Sequence, residues 1–350
     1  MSTPLVSICL PNLNTLPFLP ERMDTLLAQT VRDWELIICD GYSNDGAWEF
    51  FQKFKGDPRI HMAQLPRGQF QAWNWCMDQA KGEYIYIATS DDTASPTLLE
   101  KLIEPLQRIP EVAMVMCDYQ HIDEKGRFIE VALDSKKRHF YGSWMEQPCL
   151  RNGTTEFLIA ACFGCPMWVT MTAVLFRKTL LQRAGLFRTD CGSMADFQWA
   201  LRVLLATDVA FVPGRLATWR IHPTQSSAAW RPGLNEKRLV DFLRGVLEDP
   251  RSSFPERWKQ IDRWEKRILF VLESNYFESF GLFRGELKRD LRRFARGALA
   301  SMREEPGYFF AQALRGFPWP DESRSDPAVA ARELIQIFGC PWPPRSLSLS

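Results

Sequence analysis

Short apolar runs and amphipathic stretches alternate along the first 120 residues. The runs at 6–10, 34–39, 59–65, 83–88 and 112–117 are rich in Ile, Val, Leu and Tyr and bounded by turn-forming residues. That is the signature of buried strands. Between them, 21–29, 47–54, 69–80 and 96–108 repeat their apolar residues at helical spacing; Met23, Leu26 and Leu27 form one such side. Strands alternating with helices pair in parallel through right-handed crossovers. The pattern therefore predicts an α/β fold, a doubly wound and mostly parallel sheet flanked by helices.

The alternation weakens from 118 to 153, where Gly126, Pro148 and the basic run Lys136-Lys137-Arg138 read as surface excursions. It resumes with a helix at 154–161, a strand at 172–176, a short helix at 178–184 and a helix at 197–206. Short strands at 209–212 and 216–221 follow. Beyond Trp230 strand patterns vanish and helical spacing covers 235–247, 256–280 and 283–302. Two regions result: 1–230, and a helical 231–350 that ends in an irregular tail rich in Pro and Trp. In the last helix Phe283, Leu287, Leu291, Phe294, Ala298 and Met302 line one face, and six Arg and Lys residues fill the rest. Such a helix packs its apolar face and solvates its charge. The alternative is a reversible contact of 283–303 with an anionic membrane surface.

Composition adds exclusions. The chain has 350 residues, 46% of them hydrophobic, enough for a sizeable core. A net charge of +1 gives no electrostatic case for a nucleic-acid partner. No apolar run approaches the roughly 18–20 residues of a membrane span. The start, Met1-Ser2-Thr3-Pro4, lacks the regions of a signal peptide. A cytoplasmic protein is expected. The nine cysteines are scattered, and Cys162-Phe163-Gly164-Cys165 is the single Cys-x-x-Cys pair, so free thiols in a reducing compartment are expected.

The chemistry gathers at strand ends. The run Ile85-Tyr86-Ile87-Ala88-Thr89-Ser90 stops in two adjacent acids, Asp91 and Asp92. Adjacent carboxylates repel unless a cation sits beside them, and a hard divalent ion fits; a solvated turn is the simpler alternative. Asp40 closes another strand. In a doubly wound sheet these ends share one edge, where ligands collect. Asp196 opens a helix, a position that N-capping alone would explain. Neither Gly-x-Gly-x-x-Gly nor a Walker lysine loop follows the first strand. Any phosphates would be carried by a metal.

Taken in order, these segments resemble the family 2 glycosyltransferases, which have the GT-A fold. The likeness rests on 6–14, on Gln29-Thr30, on Glu35-Leu36-Ile37-Ile38-Cys39-Asp40-Gly41-Tyr42-Ser43-Asn44-Asp45-Gly46 and on 68–74. It continues through 82–92, Ala173-Val174-Leu175-Phe176-Arg177 with Ala195-Asp196, and Arg220-Ile221-His222-Pro223. The resemblance implies an inverting transfer of sugar from a nucleotide-sugar donor to a saccharide or glycolipid acceptor. It implies Asp92 as ligand of a Mn2+ or Mg2+ ion, with His222 as a further ligand or a structural loop histidine. Pro11, Asn12, Asn14, Asp40 and Arg67 would hold the nucleotide, Asp40 at the base, and Asp91 the ribose or the surroundings of the metal. Asp196 would be the general base.

Several positions depart from the family pattern. Gly41 stands where a second Asp is common, Leu13 where an aromatic often meets the base, Asn12 where Thr is frequent, and Ala195 where Glu usually precedes the base. Without Gln-x-x-Arg-Trp, a single-addition enzyme is favoured over a polymerising synthase. Two other readings remain: a relative that binds nucleotide or a partner without catalysis, and a sugar nucleotidyltransferase. The latter would want a Gly-rich basic loop that 12–20 does not offer.

Overall fold

Three of the first four strands are buried along their whole length, as a sheet covered on both faces requires. β1 (Val6–Asn12) and β2 (Trp34–Asp40) expose nothing, and neither does β4 (Tyr84–Ile87). β3 (Ile60–Gln64) forms the edge. The connecting helices are α1 (Leu19–Leu27), α2 (Ala47–Gln52), α3 (Gln69–Gln79) and α4 (Leu98–Arg108). α4 buries Leu98, Leu99, Leu102, Ile103 and Leu106, the stripe its sequence spacing predicts. The computed structural model describes residues 3–66, 68–130, 132–225, 291–304 and 326–349, with isolated positions between 241 and 271.

The remaining elements are β5 (Met114–Ile122), α5 (Ala132–Tyr141), β6 (Cys149–Arg151), α6 (Gly153–Phe163) and β7 (Val174–Arg177). α7 (Leu180–Ala184), α8 (Ala195–Ala206) and β8 (Val209–Arg220) follow. After them come α9 (Leu291–Glu304), α10 (Pro327–Phe338) and β9 (Arg345–Ser346). The predicted helices at 235–247 and 256–280 lie almost wholly outside the described residues, as does the first part of 283–302.

The nine strands form one sheet in the order β3-β2-β1-β4-β7-β5-β8-β6-β9. β1 to β4 pair in parallel, and β5 pairs in parallel with β8. β7 is wedged antiparallel between β4 and β5. Its start therefore lies at the edge where β4 ends. That reversal brings Thr170 and Thr172 beside the Asp91–Asp92 turn. Sequence spacing also splits what is one strand: β8 runs unbroken from Val209 to Arg220, but Pro213-Gly214 bulges it away from β5 and Gly214 takes a φ of 98°. Gly82 is needed for close approach, since a Cβ there would lie 2.6 Å from the Ser7 nitrogen on β1.

Contacts divide the chain into two compact units. One is 1–154, 167–224 and 343–350; the other is 155–166 and 225–342. The single cut expected at 230 therefore misses two exchanges of chain. The first unit takes back the last residues as β9, which pairs with β6. The tail is also more regular than expected. α10 starts at an Asp326 cap whose Oδ1 accepts from the Ala328 N–H at 2.7 Å, followed by Pro327, and stops at left-handed Gly339. In the second unit Trp258 stacks on Phe338 with ring centroids 4.3 Å apart, and Phe157 and Phe254 complete the cluster. All nine cysteines are free thiols. Among the described residues no helix is long and apolar enough to cross a membrane.

Candidate active site

At the end of β4 the two acids part company. Asp92 is 1% exposed. Its Oδ2 accepts from the hydroxyls of Thr89 at 2.5 Å and Thr170 at 2.6 Å, and its Oδ1 from the Arg220 N–H at 2.8 Å. Thr172 adds a 2.7 Å contact to the Thr89 hydroxyl. Burial first, then repulsion from Asp91, pushes the Asp92 carboxyl up to about 6, against the pull of its three donors. Asp92 is thus enclosed by donors from three segments of the chain. Asp91 is more open, its side chain 21% exposed, and its Oδ2 lies 3.0 Å from Nε2 of His222. The other ring nitrogen of His222 meets the Thr224 hydroxyl at 2.9 Å, which orients the imidazole.

Arg220 organises this corner. It is 1% exposed, yet its guanidinium reaches three segments. Nε donates to the Asp91 carbonyl at 2.7 Å, Nη1 to the carbonyls of Asp123 and Glu124, and Nη2 to Glu21 on α1 at 2.6 Å. Arg220 and His222 are two residues apart in extended chain, so both project to one side. The structure thereby joins the ends of β4, β7 and β8 with the turn after β5.

Asp40 ends β2 opposite Asn12, the last pair of the β1–β2 ladder. Fully buried, it accepts from Asn12 Nδ2 at 2.7 Å, the Ser43 N–H at 2.9 Å, the Ser43 hydroxyl at 2.6 Å and Gln64 Nε2 at 3.1 Å. Asn14 binds across the same two loops, its Oδ1 accepting from the Asn44 N–H at 2.9 Å. Pro11 lies past the last β4 pair, Cys9–Ile87, where β1 is free on that side. Arg67 lies outside the described residues.

Asp196 stands apart from both clusters, in the first turn of α8. The cap position belongs to Met194, so capping does not explain the acid. Asp196 is half-buried and accepts from the Phe197 N–H at 2.7 Å; among the described residues no side chain donates to it. Burial pushes its carboxyl up to about 6. The helix start is firmly held: Trp199 Nε1 donates to the Gly185 carbonyl at 2.9 Å and Arg202 Nη2 to that of Leu186 at 2.7 Å.

The profile of Glycosyl transferase family 2 matches residues 7–172. The chain is 32% identical over 267 residues to Glycosyltransferase GlyG of Streptococcus pneumoniae, covering 70% of this chain and 82% of GlyG. The chain belongs to glycosyl transferase family 2.

Solved structures agree on the GT-A fold of this glycosyltransferase. The S. aureus TarS 1–349 complex with UDP-GlcNAc superposes with a TM-score of 0.61 at 14% identity, covering 97% of this chain and 93% of that one. The mannosyltransferase PcManGT from Pyrobaculum calidifontis, in complex with GDP-Man and Mn2+, gives 0.55 at 17% identity, covering 97% and 89%. The candidate site also includes residues to which the sequence assigned no role. Thr89, Thr170, Ser43 and Gln64 satisfy its buried acids, and Arg220 clamps the Asp91–Asp92 turn. Of these, Arg220 left a readable signal: an arginine two residues before a histidine in a strand pattern.

Proposed function

We propose that this glycosyltransferase moves a sugar from a nucleotide-diphospho-sugar to an acceptor hydroxyl with inversion. The acceptor is a saccharide or glycolipid of the cell surface, and the reaction takes place on the cytoplasmic side. The observation that carries this reading is the contact between Asp91 and His222 at the point where strand order reverses between β1 and β4.

That pair suits a divalent ion. One carboxylate oxygen and one imidazole nitrogen form a partial donor set that would hold a Mg2+ or Mn2+ ion. Among the described residues no three His, Cys, Asp or Glu side chains cluster to hold a metal by themselves. A bound ion would neutralise charge on the departing diphosphate. In this reading Asp91 and His222 are the ligands. Asp92, held by Thr89, Thr170 and Arg220, fixes the turn that presents Asp91.

Asp196 takes the proton from the acceptor hydroxyl as its oxygen attacks the anomeric carbon. Its raised pKa of about 6 supports this, since a base needs affinity for the proton it removes. The Asp40 shelf holds the first two loops in place for the nucleotide. On α9, Arg292, Arg296, Leu299 and Arg303 are all exposed, Leu299 by 63%, which supports a peripheral contact with anionic membrane.

The test is nucleoside diphosphate release from a panel of UDP-, GDP- and dTDP-sugars with Mn2+. Asp91→Ala is expected to lower release about 100-fold or more, from lost charge stabilisation. No turnover or metal-dependent binding with any donor would remove the catalytic reading and leave a binding protein. Pelleting with phosphatidylglycerol vesicles at low salt checks the α9 contact, and a supernatant protein refutes it.

A further inference from the structure

A helix start usually carries a side chain that accepts from the first unpaired N–H groups, most often Ser, Thr, Asp or Asn. α1 departs from that rule. Phe18 holds the cap position and makes no side-chain capping bond. The position is nonetheless fixed. The Phe18 N–H donates to the Thr15 carbonyl at 2.9 Å, and the Arg22 N–H to the Phe18 carbonyl at 3.0 Å. In the same loop the Thr15 hydroxyl donates to Asn12 Oδ1 at 2.5 Å and the Leu16 N–H to Asp45 Oδ2 at 2.8 Å. A braced loop thus sets an aromatic ring where local chemistry asks for a cap. Broken local rules of this kind concentrate at functional sites.

The ring meets two side chains from the end of β8. Its centroid lies 5.0 Å from the guanidinium carbon of Arg220 and 4.7 Å from the centroid of the His222 imidazole, with 48° between the two ring planes. Arg220 is a cation over a ring face, and backbone carbonyls and Glu21 already hold it. His222 is placed differently. The Ile221 N–H still donates to the Ile122 carbonyl at 2.8 Å, but His222 lies past the end of β8. Asp91 and Thr224 meet its two ring nitrogens at 3.0 and 2.9 Å. Bonds at the two nitrogens still allow the imidazole to tip about the line between them. A ring packed against its face stops that tilt, and Phe18 supplies one.

We propose that Phe18 is a positioning residue for the metal arm, its ring holding the His222 imidazole so that Nε2 stays turned toward Asp91. This rests on the reading of Asp91 and His222 as ligands given above. Phe18 offers no donor atom of its own. It works through His222, as groups around a ligand do when they fix its orientation. The same side chain ties the loop after β1 to the arm after β8.

Mn2+ titration of the full chain tests it, alone and with UDP, GDP or dTDP, read by the EPR signal of the free ion. Phe18→Ser supplies the missing cap, which offsets the lost ring contacts, so its Tm is expected within about 4 °C of wild type. Its Mn2+ affinity should fall about 10- to 100-fold. Phe18→Tyr keeps the ring and should bind Mn2+ like wild type. In His222→Ala there is no imidazole to hold, so adding Phe18→Ser should weaken Mn2+ binding no further. Phe18→Leu keeps apolar bulk without a flat face and should show the same loss if the serine variant does not fold. Wild-type Mn2+ affinity in these variants, or an equal second loss in the His222→Ala background, would overturn the role of Phe18 and leave the ligand reading intact. A wild-type chain that binds no Mn2+ with or without nucleotide, or unchanged binding in both Asp91→Ala and His222→Ala, would overturn the ligand reading and the positioning role with it.

Discussion

Two regions of the same sheet edge bury an aspartate, and they treat it differently. At the end of β2, Asp40 meets four donors, supplied by Asn12, Ser43 and Gln64. At the end of β4, Asp92 has three donors but also a second carboxylate for a neighbour, and its pKa rises to about 6. Farther along, Asp196 has a backbone N–H and no side-chain donor among the described residues, and it too rises to about 6. Burial costs a carboxylate only as far as its partners fail to replace water. The fold completes the β2 end, which suits a frame. It leaves the β4 end and α8 with charge that is uncomfortable without a ligand, which suits chemistry.

Asp196→Asn breaks this contrast most sharply. Transfer is expected to fall about 100- to 10,000-fold at pH 7.5, the usual contribution of a general base. The protein should meanwhile become more stable. A folded pKa raised from 3.8 to about 6 means the ionised side chain opposes folding. That cost is absent below about pH 3, where both states are protonated, and complete above about pH 6–7. Since Asp196 is only half-buried, we expect a gain of about 1 kcal/mol, or about 2–4 °C in Tm at pH 7.5. The gain should shrink in melts at about pH 4 and vanish near about pH 3. Wild-type transfer should rise with pH through about 6. A lower Tm for the variant at neutral pH would show that Asp196 is satisfied after all.

Asp40→Ala probes the other side. It strands donors from Asn12, Ser43 and Gln64 around a buried site. A loss of about 3 kcal/mol is expected in urea unfolding, because orphaned buried donors cost more than the bonds they made. A loss below about 1 kcal/mol would mean that water replaces the carboxylate easily, and the shelf would not be a frame.

Much of the fold was legible because β1, β2 and β4 are buried on both faces, so their sequences are unbroken apolar runs. The wedging of β7 between β4 and β5 was not, since strand order leaves no local period. α5 hid in the basic run 136–138, which reads as surface. Yet Arg138 turns inward to a two-pronged pair with Asp118 at 2.6 and 2.8 Å. Three-residue β6 and two-residue β9 are too short to show alternation. Strand ends announced Asp40 and Asp91. The enclosure of Asp92 was illegible, because its donors Thr170 and Arg220 lie 78 and 128 residues away in sequence.

The smallest expected effect sharpens the role of Arg220. Its partner Glu21 is 56% exposed on its side chain, whereas the arginine side chain is 1% exposed. A buried guanidinium that relied on that carboxylate would lose several kcal/mol when the charge is removed. The geometry points elsewhere, because three backbone carbonyls already accept from it, at Asp91, Asp123 and Glu124. Those acceptors remain in Glu21→Gln, and the amide oxygen can still take the fourth bond. An exposed partner in water contributes about 0.2–1 kcal/mol. Glu21→Gln should therefore cost about 0.5 kcal/mol and leave sugar transfer within about 3-fold of wild type. A loss near that of Asp91→Ala would mean that the Glu21 charge, rather than the backbone cage, holds Arg220 against the Asp91–Asp92 turn.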